Sequence, residues 1–202
     1  MRPNESVKCM DFPCPDVNKK CYIIPNIEVD PSKIKTLMIS EAPPENLGDY
    51  FYAPKNPFYM QTTVQAFNDA GFNVTSMKDV LNLGVYVTTA VKCAKTDYSI
   101  SPKTIENCGL RILENEICLF PKVKAILLMG DTAIKAMNCI AKRNLGKGII
   151  PSGSTYKIRK NEYFYKKVRV FPSYLQTGKS YLIEKSKRKM IAEDIKAALE
   201  YH

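Results

Sequence analysis

Residues 34–44, which read Ile-Lys-Thr-Leu-Met-Ile-Ser-Glu-Ala-Pro-Pro, restrict the possible architectures more than any other segment. The run at 36–39 is typical of a strand that is buried on both faces of a parallel sheet. Proline cannot extend a sheet ladder, so the chain must turn at Pro43 and Pro44. Ligands of open α/β sheets bind beyond the carboxyl ends of the strands. Glu41 is therefore a candidate functional carboxylate, and a solvated turn residue is the alternative interpretation.

Strands and helices alternate along the rest of the chain. β-branched and apolar runs predict strands at 85–91 and 123–129, and two more at 156–158 and 163–170 as a hairpin around Lys160 and Asn161. Pro172 indicates a turn at 171–173. Helices are predicted from glycines that end them, from a proline in a first turn and from polar residues that cap them. They are expected at residues 59–70, 77–83, 102–119, 131–141 and 184–201. This alternation predicts one domain, residues 1–202, built as a three-layer α/β/α sandwich with a central, mainly parallel sheet.

Composition and charge narrow the class of partner. The chain is 45% hydrophobic, yet it contains no apolar run of membrane-spanning length and no signal-peptide core. We therefore expect a soluble, monomeric, cytoplasmic protein without a membrane partner. A formal charge of +10 and a pI near 9.2 favour a polyanionic partner, with nucleic acid first. Association with DNA in the nucleoid would fit this charge.

The chain contains seven cysteines, an odd number, and intracellular proteins rarely form disulfides. Metal binding and buried free thiols are the remaining interpretations. Residues 1–35 form a proline-rich, loop-like segment that a metal site would help to order. Thiolates ligate both iron–sulfur clusters and structural zinc. The candidate ligands are Cys9, Cys14, Cys21, Cys93 and Cys108, whereas Cys118 and Cys139 lie in apolar helical patterns that predict buried hydrophobic thiols.

Five motifs follow one another in a recognisable order. They are Ser-Glu-Ala-Pro at 40–43, Asn-Pro-Phe at 56–58, Tyr-Val-Thr-Thr-Ala-Val-Lys-Cys at 86–93 with Cys108 beyond it, Leu-Leu-Met-Gly-Asp-Thr-Ala-Ile at 127–134, and Phe-Pro-Ser-Tyr-Leu at 171–175. In this order they resemble the uracil-DNA glycosylase superfamily, and most closely its family 4 enzymes, which carry a 4Fe-4S cluster. The resemblance extends from about residue 9 to the terminal helix.

The resemblance implies a DNA glycosylase and a role for each matching residue. Glu41, Ala42 and Pro43 would border the glycosidic bond, with Glu41 placing or activating the attacking water. The ring of Phe58 would stack on the flipped base. Asp49, on the loop after the first motif, is a second acidic candidate for catalysis.

Two positions of the chain depart from the family pattern. Thr89 stands where the family has the Asn that reads the base, and Phe171 stands where the family has the catalytic His. Ser173, in the same motif as Phe171, is a further expected substrate contact. At Thr89, a hydroxyl cannot make both of the hydrogen bonds that an amide makes to a base. At Phe171, the loss of one donor that stabilises the leaving anion costs roughly a hundred- to thousand-fold in rate. Two functions follow: a base-excision glycosylase for uracil or another damaged base in DNA, and a non-catalytic or altered-specificity nucleic-acid-binding protein on the same fold.

The resemblance also implies a 4Fe-4S cluster with a structural role. Its ligands would be Cys9, Cys14, Cys93 and Cys108, and Cys21 is the alternative to Cys9.

Basic residues supply candidate DNA contacts. The segment Lys-Ser-Lys-Arg-Lys at 185–189 opens the terminal helix, so Lys187, Arg188 and Lys189 would meet phosphates unless the segment is only a solvated helix face. Lys179 belongs to residues 176–180, where the superfamily inserts a loop into the minor groove. A surface turn is the alternative interpretation of that stretch.

Overall fold

A computed structural model describes residues 1–201 of the chain. The strands are β1 (Val17–Asn18), β2 (Thr36–Ser40), β3 (Val85–Thr89), β4 (Ala94–Lys95), β5 (Ala125–Met129), β6 (Tyr163–Tyr165) and β7 (Val168–Ser173). The helices are α1 (Pro3–Ser6), α2 (Phe58–Asp69), α3 (Met77–Asn82), α4 (Pro102–Cys108), α5 (Glu114–Cys118), α6 (Asp131–Leu145), α7 (Thr155–Ile158), α8 (Lys179–Ile183) and α9 (Lys185–Leu199). A π-helical segment, Gly109–Leu113, joins α4 to α5.

The central sheet has the strand order β3-β2-β5-β7-β6. The first four strands are parallel, and β6 pairs with β7 in the antiparallel direction. Ser40 pairs with Thr89, and Met129 pairs with Ser173. The carboxyl ends of the parallel strands therefore meet at one edge of the sheet, where the side chains that follow them come together.

Helices cover both faces of this sheet. Every residue of β2, β3 and β5 is buried, as the continuous apolar runs require. One face packs against Ile105 of α4 and Met137 of α6. The other face packs against Phe67 of α2 and Ile195 of α9. The predicted three-layer α/β/α sandwich with a mainly parallel sheet is confirmed.

The region between α6 and the end of β7 differs from the prediction. Residues 155–158 form α7 rather than a strand, because only Ile158 is buried and nothing in the segment alternates. The hairpin turns at Lys166 and Lys167, and Lys166 has a φ of 54°, as a tight two-residue turn requires. β7 continues through Pro172 without the expected turn. Its pairing with β6 stops at Val170, so the missing proline N–H falls on a free edge.

The N-terminal segment is mostly irregular, as predicted, and is fastened to the body by a short antiparallel pair. Val17 of β1 lies opposite Lys95 of β4, the strand that directly follows Cys93. Cysteine-bearing parts of the chain that are far apart in sequence are thereby brought together. Within residues 1–201, none of the helices is both long and apolar enough to cross a membrane.

Candidate functional site

Glu41 directly follows β2, and it is held by the segments that follow the two neighbouring strands, β3 and β5. Its backbone oxygen accepts from the Val91 N–H at 2.9 Å, which extends the pairing beyond β3. Its side-chain Oε1 accepts from the Thr132 N–H, in the first turn of α6, at 3.4 Å. Gly130 makes this approach possible, because a Cβ there would lie 3.0 Å from Oε1 and the residue has a φ of 98°. The Thr132 N–H at the start of α6 thus holds the Glu41 side chain in place.

Glu41 lines a cavity of about 500 Å³ at the carboxyl edge of the sheet. This volume lies within the roughly 300–1,000 Å³ that small-molecule sites occupy. Lys95 and Tyr98 contribute from the loop after Cys93, and Asp131 and Lys135 contribute from α6. Lys135 Nζ lies 2.5 Å from the Asp131 carboxylate. The cavity therefore combines a fixed carboxylate with lysine ammonium groups at its wall.

A second cavity, of about 380 Å³, adjoins the first and shares Lys95 with it. Asp49, Phe58 and Pro43 line this second cavity. Asp49 accepts from the Phe58 N–H at 3.4 Å, so it caps the start of α2 and holds the aromatic residue in place. The structure thus brings Asp49 and Phe58 together but separates Asp49 from the cavity wall that contains Glu41. Ala42, between the cavities, is buried.

Thr89 lies at the end of β3 and is fully buried. Its hydroxyl and that of Tyr50 have no hydrogen-bond partner among the described residues. Burial raises the pKa of Tyr50 well above its usual value, and the Thr88 and Thr89 hydroxyls act in the opposite direction. The position predicted to read the base, Thr89, therefore offers a buried hydroxyl, and the Tyr50 hydroxyl lies near it.

Phe171 lies inside β7, opposite Leu127 and two residues before the strand ends. Its ring packs against the Arg169 guanidinium at 4.7 Å and the Tyr201 ring at 6.2 Å. The linings of the two cavities described above do not include it, so the structure does not bring Phe171 together with Glu41. Ser173 is also buried, and its hydroxyl donates to Asp194 of α9 at 2.6 Å.

Four cysteines line one cavity of about 20 Å³ beneath the N-terminal segment: Cys9, Cys14, Cys93 and Cys108. Burial raises the pKa of Cys93 to about 12, and the neighbouring thiols, above all Cys108, act in the same direction. Burial also raises the pKa of Cys108 to about 11, although Lys92 acts against it. The Lys92 N–H donates to Cys108 Sγ at 3.3 Å.

The spacing of these thiols bears on which metal they fit. In residues 1–201, no group of three or more His, Cys, Asp or Glu side chains converges closely enough for a single metal ion. A structural zinc needs four ligands at about 2.0–2.3 Å from one ion. A four-iron cluster binds each thiolate at a different iron, so its ligands stand farther apart. In the part of the chain that is described, these four thiols therefore do not form a single-ion site.

The other cysteines have separate surroundings. Cys21 Sγ donates to the Glu45 carbonyl at 3.2 Å, and Cys21 is absent from the lining of the four-cysteine cavity. Cys139 is half-buried. The prediction that Cys118 is a buried hydrophobe is wrong, because its side chain is exposed at the end of α5.

A buried ion pair joins the cysteine cavity to the end of β3. The Lys92 and Glu116 side chains are each 1% exposed, and Lys92 Nζ lies 2.5 Å from Glu116 Oε2. Lys92 Nζ also donates to the Thr88 hydroxyl at 2.9 Å and to the Thr89 carbonyl. Glu116 accepts from the Tyr86 hydroxyl at 2.7 Å. Sequence reasoning missed this pair, whose members are 24 residues apart.

The basic segment of α9 is partly committed to contacts within the protein. The Arg188 guanidinium binds the Asp69 carboxylate of α2, and its Nη2 donates to Asp69 Oδ2 at 2.7 Å. Lys187 Nζ lies 2.5 Å from Glu184, whereas Lys189 is exposed. Lys179 begins α8, but its side chain lies outside the described part of the structure.

Sequence reasoning also missed the cavity residues Lys95, Tyr98, Asp131, Thr132 and Lys135. The sequence did contain one signal for the α6 residues of this cavity: Gly130 and Asp131 follow a buried strand, whose carboxyl end lies at the same sheet edge as that of β2.

Residues 27–196 of the chain match the protein family described as the Uracil DNA glycosylase superfamily. None of the curated proteins compared matches the chain. The matched range includes both cavities at the sheet edge, together with Cys93 and Cys108. It begins after Cys9 and Cys14, so it does not bear on the N-terminal pair of thiols.

Proposed function

The chain belongs to the uracil-DNA glycosylase superfamily, and we propose that it is a DNA glycosylase that hydrolyses the N-glycosidic bond of a modified base. The observation that carries this proposal is the position of Glu41. Its carboxylate is held at the carboxyl edge of the sheet, at the start of α6, and in the wall of a cavity of about 500 Å³. Enzymes that act on a base rotate its nucleotide out of the duplex into such a cavity.

In this mechanism the Glu41 carboxylate orients a water molecule and accepts its proton as the water oxygen bonds to the sugar C1′. The C1′–N bond breaks, and the base leaves with its electron pair and takes a proton from solvent. A general base must lie within hydrogen-bond reach of that water, and such catalysis contributes roughly 10²–10⁴-fold. The bond from Thr132 keeps Glu41 in one orientation. Phe58, in the adjoining cavity, offers its ring to the flipped base.

The surroundings of Thr89 and Phe171 support a specificity other than efficient uracil excision. Thr89 has a buried hydroxyl in place of an amide, and Phe171 packs inside the sheet without offering a donor. A departing uracil anion would lack the donors that normally stabilise it. We therefore expect uracil to be a poor substrate and another altered base to be preferred.

The test is a screen of duplex and single-stranded oligonucleotides that contain uracil, hypoxanthine or xanthine. We expect wild type to excise at least one of these bases, and Glu41→Gln to lower that rate about 10²-fold or more. Glu162→Gln, at an exposed carboxylate between α7 and β6, is the matched control and should leave the rate unchanged. Equal rates for Glu41→Gln and wild type would contradict the role of Glu41.

The same two positions favour a second candidate function, a nucleic-acid-binding protein that does not cleave. This function predicts a different result from that of a glycosylase. The wild-type protein would bind DNA tightly at low salt and excise no base in the screen, and the Glu41→Gln variant would bind DNA as well as wild type.

We further propose that Cys9, Cys14, Cys93 and Cys108 hold a 4Fe-4S cluster. The cavity that the four cysteines share and the N–H bond to Cys108 support this assignment. When bound, the cluster would cross-link the N-terminal segment to the 93–108 region, and hydrolysis would need no electron from it. Hydrolysis itself would depend on the residues of the sheet-edge cavity.

Anaerobically purified protein should contain iron and acid-labile sulfide and be brown. Cys93→Ala and Cys108→Ala should each abolish the colour, whereas Cys139→Ala, at a thiol outside this cavity, should keep it. Recovery of zinc as the only metal would overturn the assignment.

A further inference from the structure

Tyr98 is the feature of the sheet-edge cavity that the mechanism above does not use. Its side chain is 92% exposed, yet it lines the same cavity as Glu41. Burial in the core therefore does not explain its position. Beside its ring lies Lys95 Nζ, 5.8 Å from the ring centroid. The cavity mouth thus presents a solvent-facing aromatic ring with an ammonium beside it.

The loop that carries Tyr98 is fixed at both ends. Lys95 Nζ donates to the Tyr98 carbonyl at 3.1 Å, and Lys95 itself belongs to β4, which pairs with β1. The Thr96 hydroxyl donates to the Asp16 carbonyl at 3.1 Å, and the Ser101 N–H donates to Asp16 Oδ2 at 2.7 Å. The direction of the loop is therefore set by the N-terminal segment, and the ring is displayed from a supported base.

An exposed aromatic ring beside a cation has the chemistry of a single-stranded nucleic-acid contact. Any nucleobase can stack on such a ring, at about 1–3 kcal/mol per base, while the ammonium meets the phosphate of the same strand. When a nucleotide leaves the stack, its neighbours lose a stacking partner, so a ring near the cavity mouth can replace it.

We propose that Tyr98 stacks on the base next to the flipped nucleotide, while Lys95 meets a phosphate of the same strand. This inference rests on the proposed action on DNA, and it assigns to Tyr98 the recognition of the strand that flanks the lesion. The loop after Cys93 then has a function of its own: it displays this contact at the entrance to the Glu41 cavity.

The test uses a duplex with a stable abasic-site analogue and 2-aminopurine as the flanking base. Affinity is measured by anisotropy, and stacking is measured by the quenching of 2-aminopurine. Tyr98→Ala should weaken binding about 5- to 100-fold and remove the quenching. Tyr98→Phe keeps the ring and should behave as wild type.

The chain supplies a matched control in Tyr156. Its side chain is 57% exposed, and Lys160 Nζ lies 5.6 Å from its ring, but it belongs to α7 and does not line the Glu41 cavity. Tyr156→Ala should leave affinity and quenching unchanged.

The outcomes separate this inference from the proposed function. If wild type does not bind the abasic-site duplex, both are wrong. If wild type binds and Tyr98→Ala binds equally well, or Tyr156→Ala weakens binding to the same extent, only the role of Tyr98 is wrong.

Discussion

Cys9 and Cys21 show how a single side chain decides a ligand assignment. Both lie in the N-terminal segment, and spacing along the chain leaves either one possible. In the structure Cys9 lines the four-cysteine cavity, whereas Cys21 donates to the Glu45 carbonyl. We therefore expect Cys9→Ala to lose the iron and the visible absorption, and Cys21→Ala to retain both. Iron content and absorption spectra of anaerobic preparations provide the measurement, and loss of iron in Cys21→Ala alone would reverse the assignment.

The Lys92–Glu116 pair leads to a stability prediction at the same scale. Each side chain is 1% exposed, so removing one partner leaves a buried charge without compensation. Lys92→Met should lower the free energy of unfolding by about 3–5 kcal/mol. The double variant Lys92→Met/Glu116→Leu should cost less than the two single changes added together, because no buried charge remains. Urea unfolding of the four proteins measures this difference, and strictly additive costs would show that the pair is not coupled.

At the scale of an element, α3 shows how a short helix depends on its first turn. Ser76 and Asp79 form a capping box, in which each side chain bonds the backbone of the other. Hydrogen bonds from Thr75 and then Ser76 hold the pKa of Asp79 below its ordinary value of 3.8. A carboxylate with a lowered folded-state pKa stabilises the fold above its unfolded-state pKa, and this contribution is lost as pH falls through the folded-state pKa.

Asp79→Asn should therefore be less stable than wild type at neutral pH. The difference should shrink as the pH is lowered below about 3.8, the ordinary pKa, because the wild-type carboxyl then becomes protonated as well. Thermal unfolding measured across this pH range tests the sign. Ser76→Ala provides a comparison that lacks a titrating group, and its cost should be about 0.5–2 kcal/mol. A difference for Asp79→Asn that grows as the pH falls would contradict the cap.

At the scale of the whole molecule, we expect the charge of +10 to govern the proposed association with DNA. The logarithm of the affinity should fall linearly with the logarithm of salt concentration, because bound counterions are released. Lys187→Gln/Lys189→Gln should reduce that slope by about 0.9 for each phosphate that the protein no longer neutralises. Arg188→Gln should leave the slope unchanged and lower the melting temperature, since Arg188 is paired with Asp69. A flatter slope for Arg188→Gln would show that this ion pair opens on DNA.

Local pattern was enough to predict the strands that carry the site. The run at 36–39 lies in a fully buried strand, and Glu41 follows it at the carboxyl edge of the sheet, where it lines a cavity. Pattern failed where the local signal was weak. The predictions of a strand at 156–158 and of a buried Cys118 are wrong, because a few apolar residues do not reveal which side of a segment meets the core.

The sequence by itself determined the parallel α/β architecture, the family motifs and the position of Glu41 after a buried strand, because each depends on short-range order along the chain. Only the tertiary structure decided which cysteines share a cavity, that Lys92 meets Glu116, and that Tyr98 lines the same cavity as Glu41. These relations join residues that are distant along the chain, as Lys92 and Glu116 are at 24 positions apart. Their partners are selected by strand order and loop packing, which no local pattern specifies.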